Sequence, residues 1–124
     1  MTPIIPNFII LKTMFKLCSE LNTTRVKKEL VKGAIETMFV ERRNNLPKIL
    51  NLHYKNMHKN FDTYLDFMKY YGIIKESNNY ISIEEKGFDW LRKIDKIIYD
   101  LAFKNCVDEL AREMDYAIKK TLDS

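Results

Sequence analysis

Three glycines and three prolines are all that punctuate 124 residues, and two of the prolines, Pro3 and Pro6, fall at the start. After Gly87 neither residue type occurs again. A chain with so few turn formers has to be mainly helical, since irregular backbone draws on Gly, Pro and short polar clusters. No repeat, low-complexity tract or flexible linker interrupts it, and its length suits one domain, residues 1–124.

From Phe8 to Leu21 apolar residues cover most of the helical circumference, leaving Lys12, Lys16 and Glu20 as a narrow polar strip. The pattern predicts an N-terminal helix over 7–21 that is covered on several sides. Asn22-Thr23-Thr24 breaks it and offers N-caps for a second helix from about Thr24 to Arg43, with Val26, Leu30, Val31, Ala34, Ile35, Met38 and Phe39 as its apolar stripe. Arg42 and Arg43 at its end complement the helix dipole. Asn44-Asn45-Leu46-Pro47 is a turn, and Pro47 opens a short helix through His53. After Tyr54-Lys55-Asn56 a further helix is expected to about Tyr71, with Met57, Phe61, Tyr64, Leu65 and Met68 inward and Gly72 as its stop. Ile73–Glu76, then the Asn78-Asn79 pair, then the alternating Tyr80–Ile83 give the signature of a β-hairpin. From Glu84 to Leu122 an unbroken helix is expected.

Core helix, short helix, tight turn, second helix, glycine stop, hairpin and long helix are the order of a winged helix-turn-helix, here centred on Lys48 to Gly87. The stretch Phe61–Leu91 also resembles archaeal winged helix-turn-helix DNA-binding proteins and transcriptional regulators, in their small forms with a long dimerising C-terminal helix. Tyr64, Leu65, Met68, Gly72, Ile73, Ile74, Tyr80, Ile83, Gly87 and Leu91 carry the resemblance, which spans roughly residues 30–100. Glu84 stands where that family places Thr, and the helix Phe8–Leu21 has no counterpart in its short members. The fold class expected is mainly α (α+β): a winged helix-turn-helix core over 24–91, an added N-terminal helix, and a C-terminal helix over 84–122.

Charge is split along the chain. Residues 1–70 carry 12 Lys+Arg against 6 Asp+Glu, whereas 71–124 carry 9 against 11, so the basic half suits a polyanion. With the winged helix-turn-helix order and the resemblance, double-stranded DNA is the expected partner, read in the major groove by residues near a helix N-terminus. Those residues are Asn56, His58, Lys59, Asn60 and Thr63, of which Lys59 and Thr63 point nearly opposite the buried stripe, flanked by Asn60; Lys48 and Lys55 reach backbone, and Lys75 with Asn78 and Asn79 forms the wing tip. Asp62 and Asp66 lie on the same side and repel phosphate unless paired with cations.

The long helix carries an apolar seam of Ile94, Ile98 and Leu101, continued after a phase shift near Asn105 by Val107, Leu110, Met114 and Ile118. Such a seam needs a cover, either Phe8–Leu21 or a second copy, and a two-fold homodimer reading two half-sites is expected. His53 and His58 lack partners at ligand spacing, and no phosphate loop or nucleophile motif occurs, so neither metal, cofactor nor catalysis is expected. The tyrosines at 54, 64, 70, 71 and 80 read as core edges and Trp90 as filler between hairpin and long helix. With two distant cysteines, no export signal and no apolar run of membrane length, a cytoplasmic protein is expected. The function expected is transcriptional regulation. Two alternatives stay open: an architectural DNA-binder with little base preference, and a winged-helix protein-interaction module that never meets DNA.

Overall fold

The computed structural model describes residues 4–46, 48–98 and 104–123. Among them are six α-helices and one small antiparallel sheet. In chain order these are α1 (Ile4–Leu21), β1 (Arg25–Lys27), α2 (Lys28–Glu41), α3 (Lys48–Lys59), α4 (Phe61–Tyr70), β2 (Ile74–Ser77), β3 (Tyr80–Ile83), α5 (Glu85–Ile98) and α6 (Lys104–Leu122). No described helix is long and apolar enough to cross a membrane.

The apolar girth of α1 has a direct cause in the fold, because α1 is the hub. It contacts α2, α3, α4, α5, α6, β1 and β3, and Phe8, Ile9, Ile10, Leu11, Met14 and Leu17 are all buried. Burying each such side chain contributes roughly 1.5–3 kcal/mol. The helix starts three residues before the expected boundary, with Pro6 in its first turn, where its missing N–H has no intrahelical partner to lose. It ends where Asn22 turns left-handed (φ 52°), so that Thr23 N–H reaches the Cys18 carbonyl at 3.0 Å and Asn22 N–H the Ser19 carbonyl at 3.3 Å.

One buried position breaks the apolar rule. Asn7 is fully buried, and neither its amide nitrogen nor its amide oxygen has a hydrogen-bond partner among the described residues. An unpaired buried amide costs about 1–3 kcal/mol. Asn7→Leu, close in volume and a better helix former, is therefore expected to raise the stability in urea by about 1–2 kcal/mol. A loss of stability would mean that the amide is satisfied after all.

Further boundaries differ from those the sequence predicts. The second helix begins at Lys28 rather than Thr24, because Arg25-Val26-Lys27 is extended and pairs with β3, Val26 opposite Ile81, completing a sheet of order β1-β3-β2. The helix expected over 84–122 is not one rod. Lys12 pairs with Asp95 of α5, and Lys16, one turn further along α1, pairs with Asp115 of α6, both at 2.8 Å. In a continuous straight helix those aspartates would stand about 30 Å apart, whereas the lysines are separated by about 6 Å. The chain therefore folds back between α5 and α6, and residues 99–103 lie outside the described residues.

That return changes what the apolar seam does. Leu110, Met114 and Ile118 are buried where α6 packs on α1 and α2, Ile94 is buried against the same core, and Val107 is half-buried. The Ile98 side chain and Leu101 lie outside the described residues. Ile94, Leu110, Met114 and Ile118, expected at a dimer interface, are thus covered within one chain. Ion pairs fasten α6 in place: Arg42 Nε meets Glu113 Oε2 at 2.5 Å while its guanidinium lies 4.4 Å over the Tyr116 ring, and Lys120 pairs with Glu41.

Candidate nucleic-acid interface

The turn between the two central helices falls at Asn60, not at 54–56 as expected. Nothing in Tyr54-Lys55-Asn56 breaks a helix, and two contacts hold α3 straight through it: Tyr54 stacks on Phe39 of α2 (4.8 Å, 13°), and Met57 is fully buried. At Asn60 the backbone leaves helical values for one residue (φ −110°, ψ 27°) and α4 starts at Phe61. Lys55, Asn56, His58 and Lys59 accordingly belong to the end of α3, and only Asn60 and Thr63 stand at the start of the helix that precedes the hairpin.

The exposed stripe of α3 is Lys48, Leu52, Lys55, Asn56 and Lys59, at helical spacing. Among the described residues no carboxylate pairs with Lys48, Lys55 or Lys59. Residues 42–61 hold five Lys+Arg and no Asp or Glu, a run that a windowed charge count would have singled out.

On α4 the exposed residues include Asp62, Thr63, Asp66 and Tyr70, so two of its outward groups are anionic. Both carboxylates have cations near them. Lys28 Nζ lies 3.9 Å from Asp62 and 3.1 Å from Glu76 Oε2, while Lys69 Nζ lies 3.0 Å from Asp66 and 2.8 Å from Glu76 Oε1. Glu76, on β2, thus bridges two lysines, one at the start of α2 and one on α4. The backbone N–H of Lys28 also donates to the Asn79 carbonyl at 2.9 Å, which ties the hairpin turn to α2. The hairpin closes through Asn78 and Asn79, both left-handed (φ 53° and 70°), as a two-residue turn of this kind requires.

Hydrogen bonds from Lys69 and Lys28 hold the Glu76 carboxyl below its ordinary value of 4.5, and Glu76 raises both lysines. A carboxyl depressed in the folded state stabilises above its unfolded value, and that stability is lost as pH falls through the folded value. Glu76→Gln is therefore expected to be less stable than the parent at neutral pH, with the gap closing on acidification below the ordinary carboxylate range. Parallel urea titrations at several pH values measure it; a gap independent of pH would leave the clamp without electrostatic content.

The sheet separates the remaining expected site residues. Strand alternation sends Ile74 and Glu76 toward the helices and Lys75 and Ser77 outward, and the register aligns Lys75 with Ser82 and Arg25 on the outer face. Lys75 therefore sits on the face away from the Glu76 clamp and α4, and does not join Asn78 and Asn79 as a wing tip. All ten expected contact residues are exposed. Seven of them, Lys48, Lys55, Asn56, His58, Lys59, Asn60 and Thr63, lie on α3 or at its junction with α4. Tyr70 is 82% exposed and Tyr71 48%, so these two are surface residues and not core edges, whereas Tyr54, Tyr64 and Tyr80 are half-buried. No protein-family model, curated protein or solved structure matches this chain.

Proposed function

We propose that this chain binds double-stranded DNA as a winged helix-turn-helix formed by α3, α4 and the β2–β3 hairpin, and acts as a transcriptional regulator. The observation that carries the reading is the α3 stripe: three exposed lysines on one face of a helix that has no acidic residue of its own. In a helix-turn-helix the first helix crosses the phosphate backbone while the second enters the major groove. Lysines on α3 suit the first role, and Asn60 and Thr63 at the start of α4 suit the second. The sheet order β1-β3-β2, with the hairpin directly after α4, supports the same arrangement.

Asp62 and Asp66 favour a second reading, a DNA-binder that relies on backbone contacts with little base preference. Lys28 and Lys69 offset part of their repulsion, and an aspartate can accept from cytosine N4, so the two readings differ in specificity and not in the surface used. Fluorescence anisotropy with labelled duplexes of unrelated sequence, across a salt series, tests both. Saturable binding that weakens linearly in log salt is expected, and absence of retention at low salt overturns the DNA reading. A ratio near one between duplexes selects the architectural form. Because Ile94, Leu110, Met114 and Ile118 are buried within one chain, light scattering is expected to give a mass near 14.8 kDa without DNA. About twice that mass would restore the two-fold homodimer.

A further inference from the structure

The outer face of the sheet forms the floor of a concave surface on the side away from α4. The C-terminal half of α1 and the first turn of α5 rise beside it and enclose a groove of about 820 Å³. Its floor is basic and aromatic. Arg25, Ser82 and Lys75 lie side by side in register, which at ordinary strand spacing places the two cationic residues about 10 Å apart with a hydroxyl between them. The Arg25 guanidinium sits 4.5 Å over the Tyr80 ring. Among the described residues neither Arg25 nor Lys75 has a carboxylate partner, although Glu84 lines the rim and leaves the groove with a net charge of one. One wall is apolar: Phe15 and Phe88 meet edge to face at 6.2 Å and remain 41% and 38% exposed.

Exposed rings beside unpaired cations, in a recess large enough for a small molecule, are the composition of a ligand site and not of a solvated face. We propose that this groove binds a small planar ring bearing one anionic group, the ring against Phe15 and Phe88 and the anion between Arg25 and Lys75. A phosphate on a mononucleotide and a carboxylate on an aromatic acid both meet that description. The site does not depend on DNA binding, since it lies on the opposite face of the sheet from the Glu76 clamp.

Isothermal titration of the intact chain with four probes tests it: adenosine monophosphate, adenosine, 2-naphthoate and 2-naphthylmethanol. At least one of the two anions is expected to bind with a Kd below about 1 mM, and its uncharged counterpart about tenfold more weakly. Preference for the nucleotide or for the naphthoate identifies the source of the ring. In the double variant Arg25→Gln/Lys75→Gln binding is expected to fall at least about tenfold, while Lys96→Gln, on α5 outside the groove, leaves it unchanged. Phe88→Ala is expected to weaken charged and uncharged probes alike. Binding of neither anion, equal binding of charged and uncharged probes, or indifference to the double variant overturns the assignment. The comparison of charged with uncharged probes uses the unaltered protein, so it stands even where a variant is lost to misfolding.

Discussion

Gly87→Ala is expected to destabilise the fold by about 3 kcal/mol and to lower its melting temperature by roughly 10 °C. A Cβ at this position would stand 2.2 Å from the Ile73 carbonyl oxygen, 3.2 Å from its carbon and 2.8 Å from Ile83 Cγ2. The oxygen is backbone, and it already accepts the Glu84 N–H at 2.9 Å, so no rotamer change relieves the clash. Either α5 lifts from the start of the hairpin or the residue after Gly72 shifts, and both moves disturb Ile73 and Ile74, which are buried. Intrinsic helix preference pulls the other way, since Ala is favoured over Gly by about 0.8–1 kcal/mol in a helix. Gly33 supplies the control. It lies within α2, and a methyl added there would meet nothing within 4 Å, so Gly33→Ala is expected to stabilise by about 1 kcal/mol. Urea denaturation followed by circular dichroism gives both values, and stabilisation by both substitutions would show that propensity alone decides at Gly87.

Local signals are legible in the sequence where a single residue type has a single job. Gly72 is left-handed (φ 72°) and ends α4, with Ile73 N–H on the Met68 carbonyl at 2.9 Å, and Asn78-Asn79 forms the hairpin turn. Signals that depend on distant partners are not legible in this way. Val26 fits a helical stripe as well as a strand, and only its pairing with Ile81 makes Arg25–Lys27 extended. The segment after Gly87 contains no breaker, yet Lys12 and Lys16 hold Asp95 and Asp115 against adjacent turns of α1. Of the candidate site, sequence pattern finds the lysines but assigns Lys59 to the wrong helix, because the break at Asn60 rests on the Tyr54–Phe39 stack and the buried Met57 and not on a turn residue. The position of Lys75 is readable without the fold: two-residue alternation from an inward Ile74 already sends it outward.

Replacing Lys48, Lys55 and Lys59 together by Gln is expected to reduce duplex affinity on the order of 10²-fold at physiological salt. Each lysine that neutralises a phosphate releases counterions and contributes about 0.9 to the slope of log K against log salt. At 0.15 M salt that is roughly five- to sixfold per contact, so three contacts multiply to the stated loss and lower the slope by about 2.7. All three side chains are exposed and form no ion pair among the described residues, so the fold is expected to melt within a few degrees of the parent. The slope is the decisive readout, because loss of affinity from partial unfolding would not change it by a value set by the number of lysines. Asp62→Asn and Asp66→Asn make the converse test on α4: removing each exposed carboxylate is expected to tighten binding severalfold, most at low salt. If the triple variant binds as the parent does and Lys59→Glu leaves retention at low salt unchanged, α3 does not face DNA, and the protein-interaction reading takes its place. If affinity falls while the ratio between unrelated duplexes stays constant, the lysines position the protein on the backbone, and any base preference comes from Asn60, Thr63 and the two aspartates of α4.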